Sequence, residues 1–197
     1  IPPSIQNLDF LCYFKSLTEI TYDPYSSTIN CDSKNNSNFY NVRHIIIKTN
    51  HKILDENLSK NIINKSVSKI TISSEIKSIK KDAFAGLYSL NEVVIPPKVK
   101  LIETGAFPTD KSHLNTITID PYRTTIQPYA FPKISGYKFT INIQNEKIDR
   151  NIMQNLLYIS DYLTISGNVK IVEPQTFASS SLRRIAFNSK ITHIGDY

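Results

Sequence analysis

Chemistry at a protein site needs particular residue types held close together, and this chain supplies few such sets. Its four histidines, His44, His51, His113 and His193, follow no metal-ligand spacing and no nucleophile–base pattern. There is no G-x-S-x-G, no phosphate-binding loop, no G-x-G-x-x-G and no H-E-x-x-H. The carboxylates Glu19, Glu92 and Asp120 are far apart in sequence and form no acid–base pair. Two cysteines, Cys12 and Cys31, exclude a four-cysteine zinc site and a disulfide-dense framework, and both a single bridge and two free thiols fit them. No catalytic set, metal, cofactor or small-molecule substrate is therefore implied, and the expectation is that the chain is not an enzyme. The chemistry left to it is recognition by polar and charged side chains, and the question becomes which elements display them.

The elements come from an internal repeat. Apolar pairs two residues apart recur as Ile20/Tyr22, Ile45/Ile47, Ile70/Ile72, Val93/Ile95, Ile117/Ile119, Ile141/Ile143, Leu163/Ile165 and Ile185/Phe187, at intervals of 25, 25, 23, 24, 24, 22 and 22 residues. A spacing of two is the inward face of a strand. The excess of β-branched residues, 30 Ile against 13 Leu, agrees with strands. An apolar residue lies three before many of the pairs (Leu17, Val42, Val67, Leu90, Leu114, Leu182), and an aliphatic follows downstream (Ile79, Ile102, Ile126, Val172). A small–aromatic pair then closes the unit: Ala83-Phe84, Ala106-Phe107, Ala130-Phe131, Thr176-Phe177 and, in the same slot, Cys12-Tyr13.

One such unit holds a strand and roughly 18 residues of turns, too little to bury its own Ile, Leu and Phe, so units must stack. Pro24, Pro96, Pro97 and Pro121 lie just past the strands, where a missing N–H is tolerated. Too few residues separate the strands for the crossover helices of a βαβ protein. The fold class expected is a β-rich solenoid: a parallel sheet of about eight short strands, on the order of 34 Å long at a strand spacing of about 4.8 Å, with little regular helix. The phenylalanine is expected to span the interior opposite the strand.

The units "LNEVVIPPKVKLIETGAF" (Leu90 to Phe107) and "LTISGNVKIVEPQTF" (Leu163 to Phe177), with the trailing "GLYSL" (Gly86 to Leu90) and "SSSL" (Ser179 to Leu182), resemble leucine-rich repeats of the BspA-like subfamily. The likeness covers nearly all of residues 1–197, read as one solenoid domain truncated at both ends. It fades at about 26–66 and 145–160, where the Ala-Phe pair is lost. The Asn or Cys ladder of ordinary leucine-rich repeats is missing; Lys98 and Tyr122 occupy its place in two units. Members of this subfamily are largely surface or secreted proteins of bacteria and some protists, implicated in adhesion. The resemblance thus implies a cell-surface or secreted location, with a cytoplasmic one as the alternative.

If the apolar pairs face inward, the residues alternating with them line the open side of the sheet. The middle column is Thr21, Ile46, Thr71, Val94, Thr118, Asn142, Thr164 and Ala186. Flanking columns bring Glu19, His44, Lys69, Glu92, Tyr162 and Arg184 on one side, and Lys48 and Asp120 on the other. The candidate binding residues are Thr21, His44, Lys48, Lys69, Thr71, Glu92, Thr118, Asp120, Asn142, Tyr162, Thr164 and Arg184. They form a shallow, mixed-charge surface suited to an extended protein or glycan partner on another cell or in a matrix. It lacks the basic stripe with interleaved aromatics that single-stranded nucleic acid would want.

The formal net charge of +6 is concentrated. Arg43 to Lys81 holds nine basic residues against Asp55, Glu56 and Glu75. An intracellular scaffold binding acidic partners or nucleic acid through 43–81 is the alternative function. No run approaches 18 apolar residues, so no membrane span is expected. "SSTINCDSKNNSNFYN" (Ser26 to Asn41) reads as an irregular loop. Asn35, Asn57 and Asn64 head glycosylation sequons.

Overall fold

The computed structural model describes residues 5–27, 41–62, 66–73, 75–107 and 113–196, without the side chains of Cys12 and of residues 134–137. Cys31, Asn35, Asn64 and most of the loop read at 26–41 lie outside the described residues, as does the Cys12 side chain.

In chain order the strands are β1 (Glu19–Tyr22), β2 (His44–Ile47), β3 (Ile53–Leu54), β4 (Lys69–Ile72), β5 (Ser78–Ile79), β6 (Glu92–Val94), β7 (Leu101–Ile102), β8 (Thr116–Ile119), β9 (Thr125–Ile126), β10 (Ile134–Ile143), β11 (Lys147–Ile148), β12 (Ser160–Gly167), β13 (Ile171–Val172), β14 (Arg184–Phe187) and β15 (His193–Ile194). The longer strands form one eight-stranded sheet, β1-β2-β4-β6-β8-β10-β12-β14, and every pairing in it is parallel. Register places equivalent repeat positions opposite each other: Ile20 on Ile45, Ile45 on Ile70, Ile70 on Val93, Val93 on Ile117. Slipping by one residue would turn each apolar pair out to water, so burial itself holds the register. The inward residues from Ile20 to Ile165 are buried, and each large one contributes roughly 1.5–3 kcal/mol. Ile185 and Phe187, on the last strand, are only partly covered.

The second wall of the core departs from expectation. The downstream aliphatics were expected in turns; instead they sit in two-residue strands that pair in parallel, as a four-stranded sheet β3-β5-β7-β9 and a three-stranded sheet β11-β13-β15. From β2 onward each repeat is therefore strand–turn–strand–turn. Leu54, Ile79, Ile102, Ile126, Ile148 and Val172 point into the same core as the long strands.

Between the walls run the phenylalanines. Phe84 and Phe107 stack with centroids 4.4 Å apart, and Phe107 and Phe131 at 4.7 Å. The small residue before each ring (Ala83, Ala106, Ala130) is fully buried, leaving no room for a larger side chain. The residue before that one adopts a left-handed conformation in each unit: Asp82 (φ 61°), Gly105 (φ 71°), Tyr129 (φ 59°) and Gln175 (φ 58°). This bend lets Phe84 N–H donate to Ala106 C=O and Phe107 N–H to Ala130 C=O, continuing the rungs through the corner. Only one of the four bends uses the residue that adopts it without steric cost.

The two regions read as degenerate repeats carry the regular helix. α1 (Glu56–Asn61) is capped by Asp55, whose side chain accepts from Asn57 N–H, and α2 (Arg150–Met153) by Asp149, which accepts from Ile152 N–H. Leu58 and Ile62 in the first region, and Met153, Leu156 and Leu157 in the second, are buried in the core of repeats that lack the Ala-Phe pair. The placement of Cys12-Tyr13 in the Ala-Phe slot is corrected: Tyr13 is 70% exposed. A 3-10 turn over Asp9–Tyr13 buries Leu8 and Leu11 in its stead.

Candidate functional site

On the open side of the long sheet the alternating residues stand in columns across the rungs, as the register requires. Their polar atoms bond from strand to strand. His44 Nδ1 lies 2.5 Å from Glu19 on β1, and its Nε2 lies 2.8 Å from Thr71 Oγ1 on β4. Lys69 Nζ is 2.9 Å from Glu92 on β6. Asn142 Nδ2 donates to Thr118 Oγ1 at 3.1 Å, and Ser166 Oγ donates to Asn142 Oδ1. At the far end the Arg184 guanidinium lies 5.9 Å from the centre of the Tyr162 ring. Three polar strings thus run along the solenoid: Glu19–His44–Thr71, Lys69–Glu92 and Thr118–Asn142–Ser166. Bonding across rungs restricts rotamers and lowers the entropy lost when a partner binds.

Of the expected site residues, Thr21, His44, Lys69, Thr71, Glu92, Thr118, Asn142 and Tyr162 are half-buried on this face, and Lys48 and Arg184 are exposed. Two do not present themselves there. Asp120 is 6% exposed because its short side chain turns back on its own loop, accepting from Tyr122 N–H at 3.1 Å and pairing with Arg123 at 3.4 Å. Asp23 does the same in the equivalent "DPY" stretch, accepting from Tyr25 N–H and Ser26 hydroxyl. Thr164 is 1% exposed, a short side chain between the paired strands β10 and β14, opposite Thr140 and Ala186.

Sequence reading missed two concavities at the borders of the face. One, of about 550 Å³, is bounded by Ser68, Lys69, Ser89, Asn91, Glu92 and His113. The other, of about 440 Å³, lies past the ends of β1 and β2, among Thr21, Asp23, Ser26, Lys48, Thr49 and His51. Beside the second, the Tyr25 ring stacks on His51 at 4.4 Å and its hydroxyl donates to Asp55. Burial pushes the Tyr25 phenol well above its ordinary pKa. No alternation or motif marks these places, since residues from adjacent repeats assemble them.

The histidines are placed apart. His44 is tied into the polar string, His51 into the ring stack and His113 to the Tyr88 carbonyl at 2.8 Å, while His193 is exposed on β15. Among the described residues no three His, Cys, Asp or Glu side chains gather as a metal-binding group.

The basic stretch 43–81 is dispersed by the coil. Lys52, Lys60, Lys69 and Lys80 each pair with a carboxylate, and two of those partners, Glu92 and Glu103, lie outside the stretch. Hydrogen bonds from Lys52 and Lys98 hold the Glu75 carboxyl down to about 2. The stretch is thus no single patch but contributes one or two cations to each wall and corner.

Parallel rungs, two strand walls, stacked phenylalanines and an open polar face define a leucine-rich repeat solenoid. The description "BspA type leucine rich repeat region" matches this chain in six copies, over residues 4–135, 59–161 and 109–197. The chain belongs to that family. No curated protein matches it. Among solved structures it is similar to a leucine-rich repeat protein from Bacteroides ovatus, at 17% identity and a TM-score of 0.43, over 93% of this chain. The match spans about half (49%) of that Bacteroides chain. Repeats of this family suggest a protein-interaction module of a typically non-enzymatic kind, commonly surface-associated. Among the described residues no helix is long and apolar enough to cross a membrane.

Proposed function

We propose that this chain is a non-enzymatic adhesion or ligand-binding module of the cell surface, holding an extended protein or glycan through the open face of its long sheet. The observation that carries this reading is the set of cross-rung strings, Glu19–His44–Thr71, Lys69–Glu92 and Thr118–Asn142–Ser166. They make a long, shallow surface of alternating donors and acceptors with mixed charge. Such a surface suits a partner that lies along the coil and meets one or two side chains per rung. A deep, enclosed cavity would be needed for a small molecule.

The location is tested by labelling intact source cells with an antibody to this chain, with and without permeabilisation. Signal on unpermeabilised cells supports a module working outside the cell. Signal confined to permeabilised cells defeats the adhesion reading and shifts attention to an internal acidic partner.

A further inference from the structure

The second wall of the solenoid carries a column that the strand-face reading does not use. Lys52, Lys77 and Lys100 precede β3, β5 and β7, and the backbone joins them in register: Lys77 N–H donates to Lys52 C=O and Lys100 N–H to Lys77 C=O, each at 2.7 Å. Three ammonium-bearing stems therefore leave adjacent rungs about 4.8 Å apart. All three side chains are exposed. Lys98 joins them, one rung from Glu75, which bridges Lys52 at 3.0 Å and Lys98 at 3.1 Å. The ammonium groups of Lys77 and Lys100 have no carboxylate partner among the described residues, and neither has that of Lys81, exposed at the adjoining corner, where its backbone N–H donates to Glu103 at 3.2 Å.

The matching wall further along the chain is neutral by comparison. There Lys147 pairs with Glu173 and Lys170 with Glu146, each at 2.6 Å. The positive excess is thus confined to the rungs of β3, β5 and β7. Like charges stacked at rung spacing repel, and folding gains nothing from them; a multivalent anion would relieve that repulsion.

We infer that this lysine column is a second binding surface, for an anionic polysaccharide bearing sulfate or carboxylate groups. The outward residues beside it are Ile53, Ser78, Leu101 and Thr125, with no aromatic ring to stack a nucleobase. The cations are all lysine, compact point charges without the fork that reads phosphate in fixed geometry. A run of such charges on a flat wall suits a polymer that presents anions repeatedly and loosely. The surface is independent of the long-sheet face, because the outward sides of the two walls turn away from the same core.

The test is elution from immobilised heparin, used as the probe, and its affinity in solution at several salt concentrations. Wild type is compared with a Lys77→Ser/Lys100→Ser double variant and with a Lys147→Ser/Lys170→Ser double variant that loses the same formal charge. The column variant should elute at clearly lower salt, bind roughly tenfold more weakly and show a shallower salt dependence, by about 2 in log–log slope. The control pair should move little. Circular dichroism should show both variants folded, since all four side chains are exposed. Equal weakening by the two doubles would overturn the inference and leave only net charge. So would failure of the wild type to bind at about 0.15 M salt, where charges beyond roughly 8 Å are screened. Tighter binding to single-stranded DNA than to heparin would overturn the choice of polysaccharide.

Discussion

Removing one ring from the middle of the phenylalanine stack measures how far the coil depends on it. Phe107 is 1% exposed and stacks on Phe84 on one side and Phe131 on the other. Truncating a buried Phe to Ala typically costs about 3–5 kcal/mol, from lost transfer energy and the cavity left behind. Each aromatic contact adds about 0.5–1.5 kcal/mol beyond area, and Phe107→Ala removes two. The rungs cannot collapse sideways, because their backbones are bonded at Phe84 and Phe107. The upper part of that range, about 4–5 kcal/mol, is therefore expected. Phe177 fills the equivalent position but is half-buried, with one edge contact to Phe187 at 6.1 Å. Its truncation should cost about 2 kcal/mol. Urea unfolding followed by tyrosine fluorescence suits a chain with 11 Tyr and no Trp. Phe107→Ala within about 1 kcal/mol of wild type, or Phe177→Ala costing more than Phe107→Ala, would refute the interlocked stack.

Three further outcomes follow from named atoms. Tyr22 is buried with a hydroxyl that has no hydrogen-bond partner among the described residues, so Tyr22→Phe should leave stability unchanged or raise it by up to about 1 kcal/mol; a loss above that in urea unfolding would reveal a missed partner. Tyr129 holds φ 59°, where Gly105 sits in the preceding repeat, so Tyr129→Gly should relieve about 1 kcal/mol of backbone strain, partly offset by its 5.4 Å ring contact with Tyr158, and a thermal midpoint well below wild type would contradict this. The Glu75 carboxyl is lowered from its ordinary value to about 2 by Lys52 and Lys98, so its contribution is present above the unfolded-state value near 4.5 and is lost as pH falls through about 2. Glu75→Gln should thus lower the melting temperature slightly at pH 7 and converge with wild type near pH 2; a constant difference across that window would refute the link.

What was legible in the sequence was whatever repeats. Ile45/Ile47 and Ile117/Ile119 announced a strand by their spacing, and Ala106-Phe107 and Ala130-Phe131 announced the stack by recurring in step. Ile79, Ile102 and Ile126 were seen as aliphatic positions but not as strands, because two residues are too few for an alternation signal. The helices at Glu56–Asn61 and Arg150–Met153 were hidden by the loss of the Ala-Phe pair, although Asp55 and Asp149 before them are ordinary caps. Tyr13 was misplaced because a small–aromatic pair does not report burial, and here Leu8 and Leu11 take the core instead. The open face was legible as columns, since alternation sets which way a side chain points. Its burial was not: Thr164 and Asp120 are covered by paired neighbours and by their own turn, which spacing does not report. The concavities and the cross-rung strings depend on contacts between repeats about 23 residues apart, and pattern reading within one repeat cannot supply them.

Whether the long-sheet face binds an extended partner is measured most directly by binding to immobilised extracellular-matrix proteins and a glycan array. Wild type should be compared with Thr71→Lys/Thr118→Lys, which puts long charges into the middle column, and with Lys77→Ser/Lys100→Ser on the other wall. Saturable binding to one or a few ligands is expected, reduced at least tenfold by the first variant and retained by the second on uncharged ligands. Binding that is untouched by Thr71→Lys/Thr118→Lys in a folded protein, or no binding to any member of the panel, would contradict it.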